Sequence, residues 1–304
     1  MGAVIIEPPP SFEHTTVLLA EVSRALAPED GGVYLDVTAG GGGHSAALLE
    51  ASAGARVIAC DRDPAAVAAA RARLAPFGSR ARVERVDFAG VEARLAELGV
   101  GPVSGLVADL GVSSHQLADA ERGMSFRVTG PLDMRMDPDS GETALELIVR
   151  LTQDELANVL FELGEERRSR RVARCIKQAL EAGELTTTSD LRRAVVRAVG
   201  PRRVGGIDPA TRTFQALRIA VNGELDQLRT LLAMAARVLR PGGVAAIISF
   251  HSLEDRIVKR TFRESEHWEP VTKKPVVASE AEQAENPRSR SAKLRVARLG
   301  ASPS

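Results

Sequence analysis

Short apolar runs alternate with longer helix-forming stretches through the first third of the chain. The apolar runs occupy residues 33–37, 56–60, 82–86 and 105–108. Each run has the length of a single buried strand. Between them, residues 45–53 and 65–75 are rich in alanine, leucine and arginine, which favour helix. Strands that alternate with helices at this spacing predict βαβ units and a mostly parallel sheet.

The alternation stops after residue 116, and little in the next hundred residues predicts a strand. The helices that we expect there span residues 154–163, 170–182 and 189–199. Ser189 or Asp190 is the expected N-cap of the last one, because both residue types cap helices well. This stretch therefore predicts an all-helical domain inserted into the α/β core.

The α/β pattern resumes with a long amphipathic helix at residues 223–239. It should end at a turn formed by residues 240–243, Arg-Pro-Gly-Gly, before an apolar strand at 244–248. Residues 293–299 predict a last strand. We therefore expect three parts, namely a first core part (1–116), the inserted helical domain (117–214) and a second core part (215–304).

Composition and charge exclude a few classes of function. The formal net charge is zero, so the total charge gives no indication of nucleic-acid binding. Aromatic residues make up 3% of the chain, so binding by many stacked rings is not expected. Cys60 and Cys175 lack a C-x-x-C partner, which argues against a zinc site. We see no signal peptide and no apolar run near the ~20 residues that a membrane span needs. The expected location is the cytoplasm, without membrane contact.

A glycine-rich loop carries the strongest local signal. It follows the first predicted strand, which ends in Asp36, and runs through four consecutive glycines, residues 40–43. Glycines let the backbone turn tightly and approach a ligand closely. Asp61 ends the next strand, 25 positions after Asp36, where Rossmann-type folds place a carboxylate that binds a ribose.

Several interpretations of this loop compete. A P-loop is disfavoured because no lysine follows the glycines. NAD binding stays open, since residues 41–46 fit the pattern G-x-G-x-x-A. A loop for S-adenosylmethionine, as in class I methyltransferases, fits better, and a flexible glycine linker is the remaining alternative.

Two further features favour the methyltransferase. The first is the sequence Val-Leu-Arg-Pro-Gly-Gly at 238–243 before an apolar strand, a turn that is familiar in class I methyltransferases although it would also suit an ordinary helix end. The second is the set of acids at or near the ends of the four predicted strands, Asp36, Asp61, Asp87 and Asp109. In open α/β sheets, ligands bind beyond the carboxyl ends of the strands.

Longer motifs, ordered along almost the whole chain, go beyond this class-level pattern. They are His14-Thr15-Thr16-Val17-Leu18-Leu19, Gly42-Gly43-His44-Ser45, Asp61-Arg62-Asp63-Pro64, Asp109-Leu110-Gly111-Val112-Ser113-Ser114, Ala120-Glu121-Arg122-Gly123, Gly130-Pro131-Leu132-Asp133-Met134-Arg135-Met136-Asp137, Gly164-Glu165-Glu166-Arg167, Pro209-Ala210-Thr211-Arg212-Thr213-Phe214-Gln215-Ala216, Ile248-Ser249-Phe250-His251-Ser252-Leu253-Glu254-Asp255-Arg256 and Glu285-Asn286-Pro287-Arg288-Ser289-Arg290. The chain closely resembles the ribosomal RNA small-subunit methyltransferase H family.

The resemblance implies S-adenosylmethionine-dependent N4-methylation of a cytidine in the decoding region of 16S rRNA. It implies a Rossmann-like class I core with an inserted helical domain, and 16S rRNA, within the small ribosomal subunit, as the partner. Carried over by position, the cofactor contacts are Gly42, Gly43, His44, Asp61, Phe88, Asp109 and Gln116. The chain departs from the family pattern at His115, where many relatives carry proline, and at Gly41, where relatives can carry arginine.

The implied chemistry needs a hydrogen-bond acceptor beside the target amine. The lone pair of cytosine N4 is conjugated into the ring, so N4 is a poor nucleophile. An acceptor aimed at its hydrogens would take up developing positive charge. Asp109 is the candidate, with a purely cofactor-binding role as the alternative. His14, His44 and His251 could each act as a base, although the proton can also leave to water, and no metal is needed.

RNA contacts should be basic. Residues 164–203 hold eleven arginines and lysines against five acids. From this stretch and from a second patch near residue 256 we select six candidates, Arg167, Arg168, Arg170, Arg171, Arg256 and Lys259. Such a charge excess can bind phosphates; a solvated helix face is the alternative.

Other functions stay open at the level of the sequence. A ribosome-assembly factor that keeps the fold without the activity, or an NAD-dependent oxidoreductase, would share many of these features. The oligomeric state, with a homodimer as one option, is not indicated by any motif.

Overall fold

The computed structural model of the protein describes residues 16–28, 31–201 and 208–301. The candidate base His14 lies outside these ranges, as do Arg202 and Arg203 of the basic stretch at residues 164–203. Among the described helices, none combines the length and the apolar character that crossing a bilayer requires.

A single seven-stranded sheet forms the centre of the described chain, in the order β3-β2-β1-β4-β5-β7-β6. The strands are β1 (Gly32–Asp36), β2 (Ala55–Asp61), β3 (Ala81–Arg85), β4 (Val103–Asp109), β5 (Leu239–Ser249), β6 (Trp268–Pro270) and β7 (Lys293–Leu299). Neighbours among β1 to β5 pair in parallel, whereas β7 is antiparallel to both β5 and β6. The predicted α/β class with a mostly parallel sheet is confirmed.

Helices cover both faces of this sheet. They are α1 (Leu19–Leu26), α2 (Gly43–Ala51), α3 (Pro64–Leu74), α4 (Val91–Glu97), α5 (Ser114–Ala118), α11 (Glu224–Val238), α12 (Ser252–Glu264) and α13 (Glu280–Glu285). Successive side chains of a strand point to opposite faces. Accordingly Tyr34 of β1 packs into a core with α1, α2 and α3, and Leu35 packs into a second core with α4, α11 and α12.

Among the described residues between α5 and α11, five more α-helices follow. They are α6 (Ala144–Arg150), α7 (Gln153–Gly164), α8 (Ser169–Glu181), α9 (Thr188–Val199) and α10 (Thr211–Asn222). Together they bury a third apolar core of their own, which includes Leu160, Ile176, Leu191 and Phe214. This core also takes in Leu217, beyond the predicted boundary at residue 214. The division into parts at 116 and 214 stays a prediction.

Two local predictions are wrong. The N-cap of α9 is Thr187, whose side chain accepts a hydrogen bond from the backbone of Asp190 while the Asp190 carboxylate bonds back to Thr187. Asp190 is therefore the acidic partner in a capping box rather than the cap. The expected turn at residues 240–243 falls inside β5, where pairing jumps from Leu239 directly to Val244 and the residues between them bulge out.

The strand order reverses beside β1, which lies between β2 and β4. Chain connections leave β1 and β4 in opposite directions at this point, and a crevice opens at their carboxyl ends. In doubly wound sheets this switch point is the usual ligand site.

Candidate active site

The switch point holds a cleft of about 1040 Å³, counted out to its open mouth. Six of the seven predicted cofactor contacts line it, namely Gly43, His44, Asp61, Phe88, Asp109 and Gln116. The structure therefore brings together residues that are up to 73 positions apart in the sequence.

Gly42, the seventh, lies behind the cleft. It precedes α2 with a φ of 75°, a left-handed conformation that glycine adopts without strain. A Cβ on Gly42 would face Ala70 and Leu74 of α3 at 3.4 Å. Gly42 thus turns the chain into α2 and packs α2 against α3.

Gly43 is required for a different close approach than the one we expected. A Cβ at this position would lie 1.7 Å from Oγ1 of Thr16, a residue that also lines the cleft. The missing side chain therefore lets the residues before α1 reach the glycine loop. Thr16 belongs to the first motif that carried the family resemblance, but it was not predicted as a site residue.

Asp36 holds both ends of the glycine loop by hydrogen bonds. Its Oδ1 accepts a hydrogen bond from the backbone N of Thr38 at 3.1 Å, and its Oδ2 accepts from Oγ of Ser45 at 2.7 Å. The side chain is fully buried, and burial raises its pKa to about 7 despite these hydrogen bonds. Asp36 does not line the cleft among the described residues, so it supports the loop rather than contacting a ligand.

Asp61 links the glycine loop to α3 and faces the cleft. Its Oδ2 accepts from the backbone N of Gly40 at 2.9 Å, and its Oδ1 accepts from the backbone N of Asp63 at 3.0 Å. Burial raises its pKa to about 6. A carboxylate offers about four lone-pair positions. Each oxygen of Asp61 therefore keeps capacity for a further donor from the cleft, such as a sugar hydroxyl.

Gln116 belongs to a buried polar network as well as to the cleft wall. Its Nε2 donates to Oδ2 of Asp63 at 2.7 Å, and its Oε1 accepts from the backbone N of Ser113 at 2.9 Å. Arg122 also donates to Oδ2 of Asp63 in an ion pair, and its Nη1 donates to the backbone oxygens of Arg135 and Met136. This network ties the loop after α5 to the start of α3, next to Asp61.

Asp109 is a buried acid in the wall of the cleft. It ends β4, and its backbone N donates to Oγ1 of Thr38 at 2.6 Å. Its Oδ1 is buried and has no hydrogen-bond partner among the described residues. Burial raises the pKa of Asp109 to about 6, the positive charge of Arg288 lowers it and the charge of Glu254 raises it. An unsatisfied buried acceptor is costly unless a ligand supplies the donor.

One group of side chains has the composition of a metal site. Ligand atoms of Glu224, His251 and Glu254 lie within 4.8 Å of one another. However, Arg218 donates to both oxygens of Glu224, at 2.8 and 2.9 Å. His251 Nδ1 accepts from the backbone N of Glu254 at 3.4 Å, which leaves the ring proton of the neutral imidazole on Nε2. This donor set suits a helix cap and an ion pair better than a cation.

The predicted histidines are therefore placed differently. His44 lies in the cleft wall, buried. His251 is the N-cap of α12 and forms a capping box with Glu254. His14 lies outside the described residues. A role as base stays a prediction for His44, and His251 has a structural role as a cap.

The six basic residues predicted to contact RNA are all exposed and fall into two neighbouring places. Arg167, Arg168, Arg170 and Arg171 surround the start of α8, and Arg256 and Lys259 lie on α12. Glu165, just before the first group, accepts from Oγ of Ser252 at 3.0 Å and forms an ion pair with Arg256 at 3.5 Å. The two patches therefore adjoin. Arg170 pairs with Asp154 at 2.9 Å, which reduces its free charge.

Several cleft residues were missed as site residues by the sequence analysis. They are Thr16, Arg62, Met136, Glu224, Glu254 and Arg288. All except Glu224 fall in motifs that carried the family resemblance. The motifs therefore marked these positions as important, but they did not indicate the role of each residue. Glu224 starts α11 directly after Gly223 and resembles any helix-starting acid.

Comparison with known proteins identifies the chain. The family model described as the MraW methylase family matches residues 11–299. A curated relative from Sorangium cellulosum (strain So ce56), named ribosomal RNA small subunit methyltransferase H, is 65% identical over 294 residues, which cover 96% of this chain and 93% of the relative. The protein of the same name from Synechococcus elongatus is 51% identical over 291 residues, 95% of each chain.

Among solved structures, an rRNA methylase from Streptococcus thermophilus matches 98% of this chain and 100% of its own, with a TM-score of 0.43 and 10% sequence identity. The family match extends across the sheet, the glycine loop and the helical segment alike. The chain belongs to the MraW methylase family.

Proposed function

We propose that the protein transfers a methyl group from S-adenosylmethionine to N4 of a cytidine in the decoding region of 16S rRNA, in the small ribosomal subunit and in the cytoplasm. Family membership and the names of the relatives support an rRNA substrate. The observation that carries the chemistry is Asp109, which lines the cleft and whose buried Oδ1 has no hydrogen-bond partner among the described residues.

The cleft fits the proposed cofactor. Asp61 offers carboxylate oxygens to a ribose diol, Phe88 and Val86 form an apolar wall suited to a purine ring, and Gly43 and Gly40 border the same space. The acids Asp61, Asp87 and Asp109 make this wall electronegative, which suits a sulfonium cation. When bound, the cofactor supplies an electrophilic methyl group on sulfur.

Asp109 would act on the accepting amine. Its Oδ1 accepts a hydrogen bond from N4, which orients the nitrogen and favours the pyramidal geometry that frees its lone pair. As the new N–C bond forms and the S–C bond breaks, positive charge develops on N4 beside the carboxylate, and one N4 proton then leaves to water. A preorganised charge at this point is worth several kcal/mol in an enclosed site. The raised pKa, about 6, still leaves Asp109 largely ionised at neutral pH.

The helical segment would supply the RNA-binding surface. The basic residues at the start of α8 adjoin those on α12, where Glu165 contacts Ser252 and Arg256. Because Glu254 on α12 lines the cleft, RNA held on this patch would lie close to the reacting atoms. We take residues 117–214 as the inserted domain that serves this purpose. A homodimer stays a further option.

The function is tested in cells that lack the gene. Mass spectrometry of nuclease fragments of 16S rRNA should show one decoding-region cytidine that is lighter than in the parent strain by the mass of the CH₂ unit that methylation adds. Complementation with the wild-type gene should restore the mass, and a variant with Asp109→Asn should not. An unchanged decoding-region fragment in the deletion strain would refute the proposal.

A further inference from the structure

The stretch Glu285-Asn286-Pro287-Arg288-Ser289-Arg290 forms the turn that precedes β7. Its backbone is rigidly held. Oδ1 of Asn286 accepts from the backbone N of Arg288 at 3.3 Å, and Oγ of Ser289 donates to the backbone oxygen of Asn286 at 2.8 Å. Asn286 and Ser289 are both buried. Arg288 is thereby presented from a fixed turn.

The side chain of Arg288 reaches into the cleft over an aromatic ring. Its guanidinium carbon lies 5.5 Å from the centroid of the Phe250 ring. On the glycine side, the same ring packs against Gly111, where a Cβ would lie only 2.8 Å from Cδ2 of Phe250. Gly111 is two residues after Asp109, so the Phe250 ring connects the loop after Asp109 with Arg288, and Asp109, Gly111 and Arg288 all line the cleft.

Charge coupling agrees with this placement. Burial lowers the pKa of Arg288, and the carboxylate of Asp109 raises it in turn. The cleft thus presents a carboxylate acceptor and a forked cationic donor side by side. A guanidinium carries five N–H donors, so it can keep a protein partner and still bind a ligand.

We propose that Arg288 is a specificity-determining residue that donates to N3 and O2 of the target cytosine while Asp109 accepts from N4. This inference rests on the proposed function and adds the means by which the base is recognised. The Watson–Crick edge of cytosine offers a donor and then two acceptors, which Asp109 and Arg288 complement. Uracil and guanine offer an acceptor and then a donor at the first two positions, so they would face like groups. Adenine lacks the second acceptor.

The test replaces the acceptor in the RNA. 16S rRNA is ligated to carry cytidine or 3-deazacytidine at the target position, assembled into the small subunit and methylated by the full-length protein. 3-Deazacytidine keeps O2 but presents a C–H in place of N3, which leaves one N–H of Arg288 without an acceptor in an enclosed site, so wild-type kcat/KM should favour cytidine by roughly ten- to hundredfold. Arg288→Ala should lose most of this preference. The wild type and Arg288→Ala are compared on the same two bases. The intrinsic difference in N4 reactivity between the bases therefore cancels when the preference of one enzyme is divided by that of the other.

Controls separate this role from the alternatives. Arg290→Ala removes an exposed arginine of the same turn and should keep the wild-type ratio. If Arg288→Ala fails to fold, Arg288→Lys keeps the charge without the fork and should lose part of the preference. An unchanged ratio in both Arg288 variants overturns the inference. The inference is also overturned if Arg288→Ala weakens cofactor binding, or weakens RNA binding equally for both bases, while the ratio of kcat/KM between cytidine and 3-deazacytidine stays at the wild-type value. Failure of the wild type to form N4-methylcytidine would instead refute the proposed function.

Discussion

Acidic side chains behave in opposite ways in the sheet and in the helical segment. At the strand ends, burial raises the pKa of Asp36 to about 7 and the pKa values of Asp61 and Asp109 to about 6. In the helical segment, burial alone would raise the pKa of Asp190, but hydrogen bonds from Thr187 and Thr186 lower it to about 2. Backbone hydrogen bonds of a similar kind lower the pKa of Glu155.

The difference separates chemistry from scaffold. Asp190 and Glu155 spend their acceptor capacity on backbone donors in capping boxes, so they stabilise helix starts and have little left for a ligand. Asp61 and Asp109 keep acceptor capacity at the edge of a cleft. Residue type alone does not predict this division, because it depends on whether the fold has already supplied the donors.

The largest effect should come from removing charge at Asp109. Asp109→Asn keeps the shape of the side chain but cannot stabilise positive charge on the amine. Single-turnover methylation should slow by about two to three orders of magnitude, as for the loss of another preorganised electrostatic group. Cofactor affinity, measured by calorimetry on the same variant, should change far less. If affinity collapses while the saturated enzyme turns over normally, Asp109 is a cofactor ligand only.

Asp61 should affect the other half of the site. Asp61→Ala removes a charged acceptor, and hydrogen bonds to charged groups contribute about 1.5–3 kcal/mol, so the cofactor Kd should rise roughly ten- to hundredfold. The exposed acid Glu97 is a matched control, and Glu97→Ala should bind normally. Calorimetry that finds wild-type affinity in a folded Asp61→Ala protein would contradict this assignment.

Asp190 tests the scaffold side of the comparison. Its folded-state pKa of about 2 lies below the ordinary value of 3.8, so its contribution to stability is present above pH 3.8 and is lost as the pH falls towards 2. A difference of this size corresponds to about 2 kcal/mol. Asp190→Asn should lower the free energy of unfolding in urea by that order at pH 7, and cofactor affinity should stay unchanged. Equal stability at pH 7 would show that the negative charge of Asp190 does not stabilise the fold.

The basic patch should give the smallest effect on the chemical step. Replacing Arg167, Arg168, Arg170 and Arg171 together by glutamine should weaken RNA binding and spare cofactor binding. Each lost phosphate contact lowers the slope of log affinity against log salt by about one. Arg168 donates to the backbone oxygen of Val199 and Arg170 pairs with Asp154, so we expect fewer than four contacts to be lost. An identical slope would assign these arginines to a solvated surface.

The sequence was sufficient for the α/β class because its strands are short, apolar and separated by strong helix formers. The same holds for Asp61 and Asp109, which follow directly from strand ends. The sequence was insufficient for positions whose role depends on contacts with residues far away in the chain. The requirement for glycine at 43 comes from Thr16, a residue in the loop before α1. The role of residues 240–243 depends on a bulge against β4, which a local turn pattern does not encode.

Residues contributed by the end of the chain were the hardest to place. Arg288 reaches the site only because β7 folds back antiparallel to β5 and brings the preceding turn over Phe250. Glu224 enters the cleft because α11 starts there, and nothing in its local sequence marks it. The family motif around Arg288 indicated that this region matters. That Arg288 lies in the same cleft as Asp109 could be seen only in the folded structure.

The most direct measurement is the chemical identity of the methylated nucleoside. Small subunits are incubated with the purified protein and S-adenosylmethionine labelled in the methyl group, and the rRNA is digested to nucleosides and separated by liquid chromatography with mass spectrometry. We predict that the label appears in N4-methylcytidine, and that Asp109→Asn yields far less of it. Label on a ribose, on a ring carbon or on a purine would contradict an acceptor carboxylate that acts on the exocyclic amine of cytosine.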